Sequence, residues 1–155
     1  MRRAGRPPLP RETPRSVLYS PEILAAAVAL ADHPLRDDLP MRGEARSRSC
    51  GSTLTLGLAT DRAGRIATTG CQAKACAVGQ AAASLFVRHA NGRGVDDIAR
   101  HRDRLAAWLA GEHPPPDWPE IDLLAPARAY PARHGAILLA WDAALAALAP
   151  QPALR

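Results

Sequence analysis

The spacing of apolar and polar positions changes several times along the chain, and each change marks an element. Ser20-Pro21-Glu22 opens a helix, with a hydroxyl for the N-cap, a proline at the first helical position and an acid in the first turn. The apolar run from Ile23 to Ala31 continues it until Asp32-His33-Pro34 stops it. Residues 35 to 49 are polar and turn-rich and read as a loop or a weak edge strand. Thr53 to Thr60 then alternates with a period of two, which sets Leu54, Leu56 and Leu58 on one face of a strand. Asp61-Arg62-Ala63-Gly64 has the composition of a hairpin connection, and Arg65 to Ala75 is the expected return strand. Its alternation puts Cys71, Ala73 and Ala75 on one face and Gln72 and Lys74 on the other.

Helical spacing returns over Cys76 to Asn91, through Val78, Ala81, Ala82, Leu85, Phe86 and His89, with Gly92 as the stop. Val95 to Ala110 predicts a second helix whose stripe is Val95, Ile98, Leu105, Trp108 and Leu109, closed by Gly111. His113-Pro114-Pro115-Pro116-Asp117 reads as a rigid linker, and Trp118 to Ala129 as a short irregular or helical piece. A last helix is expected over Ala136 to Ala149. The order of these elements predicts an α+β fold, a small antiparallel sheet with helices packed on one face.

Composition narrows the picture. At 155 residues and 47% hydrophobic, the chain suits one domain, placed at 17–150, with a core that needs no disulfide or metal to fold. No run of apolar residues is long enough for a membrane span. The net charge of +5 looks like a nucleic-acid signal until it is located. Residues 1–16 hold five arginines against one glutamate, while the other 139 residues hold 15 basic against 14 acidic side chains. That segment also contains Pro7, Pro8, Pro10 and Pro14, so it reads as a disordered arm, with 151–155 as a short tail. Without interleaved aromatics or a basic groove in the body, no nucleic-acid partner is expected. Three cysteines and no export signal point to a reducing, cytoplasmic setting. No phosphate loop and no convincing Ser, His, Asp set is present, so a conventional enzyme is not expected.

The candidate chemistry lies in the cysteines. Cys50 stands just before the first confident strand and Cys76 just after its return partner. The start of one hairpin strand lies beside the end of the next, so the two thiols should be neighbours. Cys76 also opens a helix, where unpaired amides favour a thiolate, the form that binds soft metals or attacks sulfur. The bland alternative is two small buried residues.

The motifs together are more specific. Tyr19-Ser20 at a helix start, His33-Pro34-Leu35-Arg36 at its stop, Cys50-Gly51 before a strand, Cys76 opening a helix, and Tyr130-Pro131-Ala132-Arg133 before Ile137-Leu138-Leu139-Ala140-Trp141 occur in order. In this the chain resembles the U-type iron–sulfur cluster scaffold family of IscU, SufU and NifU N-terminal proteins, over roughly residues 18–149. The extra residues from about 111 to 128 resemble the SufU type. The resemblance implies cluster assembly. Three cysteines and an aspartate would hold iron, zinc or a nascent [2Fe-2S] cluster, with sulfur supplied by a cysteine desulfurase. Cys50 and Cys76 match the first two family cysteines. Ser52 stands where the family has aspartate, and Ala136 where it has the third cysteine, which is also the expected sulfur acceptor.

Auxiliary candidates are His134, beside the vacant position, and Cys71, which otherwise reads as a small core residue. Ser52 is a weak neutral ligand, and Arg133 a charge that would favour ionised thiols. The leading expectation is a scaffold-like protein binding iron, zinc or a [2Fe-2S] cluster through Cys50 and Cys76, with two chains bridged by one cluster to supply four thiolates. The rivals are a degenerate scaffold that binds no metal and docks on a desulfurase, and a persulfide relay. In the relay Cys76 accepts sulfur and Cys50 or Cys71 resolves it.

Overall fold

The computed structural model describes residues 18–150, so the expectations for the arm at 1–16 and the tail at 151–155 fall outside the described residues. Helix α1 (Pro21–Ala29) starts as its sequence dictates: the Ser20 hydroxyl accepts a hydrogen bond from the Ile23 amide at 3.2 Å, with Pro21 at the first position. A 3-10 turn over Leu30–Asp32 ends it ahead of Pro34. From there the chain crosses the outer face of the sheet, where Leu35 and Leu39 lie against Gly57 and Leu39 also reaches Gly70.

The sheet has three antiparallel strands in the order β1-β2-β3: β1 (Met41–Arg46), β2 (Thr53–Thr60) and β3 (Ile66–Lys74). Leu54, Leu56 and Leu58 are buried on the inner face, as the period of two requires. Part of the stretch read as loop or weak edge strand is β1. It carries little hydrophobic signal because two of its three inner residues are small: Gly43 pairs with Leu56 and Ala45 with Leu54, and only Met41, opposite Leu58, is large. A Cβ at Gly43 would collide with the Ala143 carbonyl oxygen, so the missing side chain lets the last helix lie directly on the strand.

Helix α2 (Ala77–His89) packs on α1, and α3 (Val95–Leu109) on the last helix, α4 (Pro131–Leu148), which itself covers β1 and β2. A 3-10 segment, Ile121–Ala129, leads into α4. Two expectations are corrected. Val95 opens α3 at 44% exposure and is no part of its buried stripe. And α4 begins at Pro131, five residues before Ala136, because a proline at the first helical position needs no amide partner and arrives with helical φ. Arg133, His134, Gly135 and Ala136 are therefore helical, not loop residues.

Phe86, Trp118 and Trp141 form the aromatic centre of the core, with ring centroids 5.1–5.5 Å apart. The Trp118 indole N–H donates to the Leu85 carbonyl at 3.0 Å, which pins the proline-rich linker region to α2. No helix among the described residues is long and apolar enough to cross a membrane.

Candidate thiol site

The hairpin register puts both candidate cysteines at one end of the sheet. Thr53 of β2 faces Arg46 on one side and Lys74 on the other. Cys50 lies three residues before Thr53 and Cys76 two after Lys74. The β1–β2 turn is closed by the Ser47 amide donating to the Ser52 carbonyl at 2.8 Å and the Gly51 amide to the Ser47 carbonyl at 3.0 Å. Gly51 adopts φ +70°, a conformation that glycine takes without a Cβ penalty. Cys50 is exposed in this turn. Cys76 is half-buried and is the N-cap residue of α2, with its side chain free of any capping bond.

The Cys50 sulfur is held by hydroxyls. Ser52 Oγ lies 3.0 Å from it and Ser47 Oγ 3.3 Å, and both serines are buried. The Cys50 thiol is shifted below its ordinary value, chiefly by the Ser47 and Ser52 hydroxyls; Ser52 can turn to donate to a thiolate, and Ser47 can do so by releasing its bond to Ser49. Slight burial opposes this, and the Ser52 amide and the Arg133 charge assist it. The turn is tied to α4 through Ser47 Oγ to Ser49 Oγ at 3.2 Å, and from Ser49 to the Ala132 carbonyl at 3.0 Å. A Cβ at Gly135 would stand 2.5 Å from Ser47 Oγ, so glycine there lets α4 close on the turn.

Arg133 connects the two thiols. Its guanidinium is held above its ordinary value by its hydrogen bond with Cys76 and the charge of that sulfur, then by Tyr19, with a smaller contribution from Cys50. One cation from the first turn of α4 thus acts on both sulfurs.

The remaining candidates are placed elsewhere or otherwise occupied. Cys71 sits in the core opposite Leu56, and burial pushes its thiol up to about 12, so it is not an auxiliary thiol of the Cys50 and Cys76 pair. His134 directs Nε2 at the carbonyl oxygens of Ala127 and Arg128, at 3.1 and 3.2 Å. Carbonyls only accept, so Nε2 carries the proton and Nδ1 is the nitrogen left with a lone pair for a metal. Ser52 Oγ is engaged with Cys50. Ala136 is 1% exposed and its Cβ lies in the α2–α4 contact beside Gly79. Among the described residues no group of three or more His, Cys, Asp or Glu side chains is placed to hold a metal ion. Ser47 and Ser49 were not singled out from the sequence; the only signal is three hydroxyls within six residues, Ser47, Ser49 and Ser52, around one cysteine.

No family model and no curated protein matches the chain. Solved structures do. A NifU-like nitrogen-fixing protein (N-terminal part) from Brucella abortus superposes with a TM-score of 0.78 at 28% identity, covering 88% of this chain and 95% of that one. A candidate iron–sulfur cluster assembly scaffold for the SUF system from Fervidobacterium islandicum AW-1 gives 0.71 at 20% identity, covering 85% and 97%. The chain has the fold of the NifU N-terminal-like and SufU iron–sulfur scaffold proteins. Within that scaffold fold the thiol end is built from the β1–β2 turn, the start of α2 and the first turns of α4.

Proposed function

We propose that this protein works in iron–sulfur cluster assembly in the cytoplasm, at the step where sulfur is received from a cysteine desulfurase. The observation that supports this most is the Cys50 environment: an exposed thiol on a fixed turn, with two buried hydroxyls and Arg133 favouring its thiolate. In the transfer, the Cys50 thiolate attacks the terminal sulfur of the desulfurase persulfide. A new S–S bond forms on Cys50 and the desulfurase cysteine leaves as its thiolate, so no outside oxidant is needed. We place the acceptor at Cys50 in preference to Cys76 because Cys50 is exposed to an incoming donor whereas Cys76 is half-buried. Incubation with a desulfurase and cysteine, followed by persulfide trapping and peptide mass mapping, tests this: sulfur is expected on the Cys50 peptide and not on a Cys50→Ser variant.

The thiols also bear on whether iron, zinc or a [2Fe-2S] cluster is cargo. Two thiolates with a guanidinium acting on both do not make a four-ligand site in one chain, and neither Ser52 nor Ala136 completes it. Two chains would supply four thiolates, and the exposure of Cys50 leaves its side open to a second copy. That cluster-bridged dimer is the second reading, and anaerobic reconstitution with iron and sulfide tests it. A coloured dimer supports it, and a colourless monomer sinks it. A protein that binds a desulfurase yet takes neither sulfur nor metal would instead be an interaction partner built on the same fold.

A further inference from the structure

The charges around Cys50 are one-sided. The three segments that meet at this end, residues 45–56, 72–80 and 130–136, contain Arg46, Arg48, Lys74 and Arg133 and no aspartate or glutamate. None of these four cations takes part in an ion pair among the described residues, whereas Arg36, Arg42, Arg88, Arg93, Arg100 and Arg102 all do. Arg46 and Lys74 project from the exposed outer face on either side of Thr53, and Arg48 is exposed in the turn that carries Cys50. The next carboxylate along the strands, Glu44, is two register positions further from the turn. A metal cation approaching this end meets four positive side chains. A small anion meets Arg46, Arg48 and Lys74, none of them in an ion pair, and Arg133, whose charge reaches the Cys50 sulfur.

We infer that the Cys50 end is a receiving site for sulfane sulfur carried by a small anion, a donor of the thiosulfate or carboxylate-bearing persulfide class. The inference rests on the reading of Cys50 as a sulfur acceptor and extends it to a donor that needs no protein partner. With thiosulfate the Cys50 thiolate attacks the outer sulfur. The new bond is Cys50 S–S, the sulfur–sulfur bond of thiosulfate breaks, and sulfite leaves with the electron pair, so the exchange balances without a further reductant or oxidant. Arg133 and the outer cations bind the sulfonate oxygens, and Ser47 and Ser52 keep the attacking sulfur ionised.

The test uses the whole chain, reduced and without oxygen. Thiosulfate is the probe, with sulfite release and the mass of the Cys50 peptide as readouts, and desulfurase with cysteine is run in parallel. The expected result is stoichiometric sulfite and one added sulfur atom on Cys50, both lost in Cys50→Ser. An Arg46→Gln, Lys74→Gln pair is expected to raise the half-saturating thiosulfate concentration about tenfold, a loss on the scale of one charge-assisted hydrogen bond. Its alkylation by neutral iodoacetamide should be unchanged, which a merely structural effect would not spare. Loading by desulfurase but not by thiosulfate overturns the inference and leaves the acceptor reading standing. Loading by neither overturns both. Equal slowing of thiosulfate and iodoacetamide by the paired substitution overturns the recognition of an anion. A glutathione persulfide arm separates the two donors: equal loading assigns the site to the charge class, and loading by one alone assigns it to that donor.

Discussion

Cys50 and Cys71 are the same residue type in two environments, and the environments predict opposite behaviours. Cys50 has Ser47 and Ser52 hydroxyls on its sulfur, so its thiolate persists to lower pH than an ordinary thiol. Its alkylation rate should rise with pH and level off at a midpoint below the usual thiol range. Ser47→Ala and Ser52→Ala each move that midpoint upward and slow alkylation at neutral pH. A midpoint unchanged in both variants would mean that the hydroxyls do not act on the sulfur. Cys71 behaves in the opposite sense. Above pH ~8.5 the unfolded chain ionises this thiol, while the folded protein holds it neutral up to about 12. The folded state therefore loses about 1.4 kcal/mol from this group per unit of rising pH in that window. Urea midpoints measured on either side of pH 9 should show that loss in the native chain, and Cys71→Ala should be free of it.

At the level of elements, two glycines set how closely α4 approaches the sheet and the turn. Gly43→Ala forces a Cβ into the Ala143 carbonyl across the β1–α4 contact, where neither backbone can yield easily. A destabilisation of about 3 kcal/mol is expected, seen as a lowered Tm with the thiol chemistry intact in the folded fraction. Gly135→Ala instead pushes on Ser47 Oγ. It should cost only about 1 kcal/mol yet slow Cys50 alkylation at neutral pH, because the clasp through Ser47 and Ser49 to Ala132 is disturbed. The same two elements mark the limits of what the sequence shows. Alternation located β2 and β3, and helical spacing located α2 and α3. Strand β1 escaped because Gly43 and Ala45 give no side-chain period, only close approach. The start of α4 escaped because Arg133-His134-Gly135 looks like loop chemistry, although Pro131 was a signal for a helix start.

Over the whole molecule, the pairing of thiols was legible because antiparallel register brings the start of one strand beside the end of its partner, and Thr53 opposite Lys74 is that geometry. The hydroxyl shell was not legible, since serines in a turn serve turn formation equally well. Arg133 was legible only as a charge; its hydrogen bond to the Cys76 sulfur and its charge near Cys50 depend on α4 starting early. The fold of the scaffold proteins is kept, and at the thiol end Ser52 bonds the Cys50 sulfur while Ala136 is buried in the α2–α4 contact. If a cluster bridges two chains, reconstitution should yield a dimer that is lost in Cys50→Ser and in Cys76→Ser alike, measured by mass and visible absorption.

The most direct measurement is the position of the sulfur after incubation with a desulfurase and cysteine, read by mass mapping of trapped persulfides. The predicted result is sulfur on Cys50, retained in Cys76→Ser and abolished in Cys50→Ser. Sulfur found on Cys76 with Cys50 unmodified, or on neither cysteine, would contradict the account.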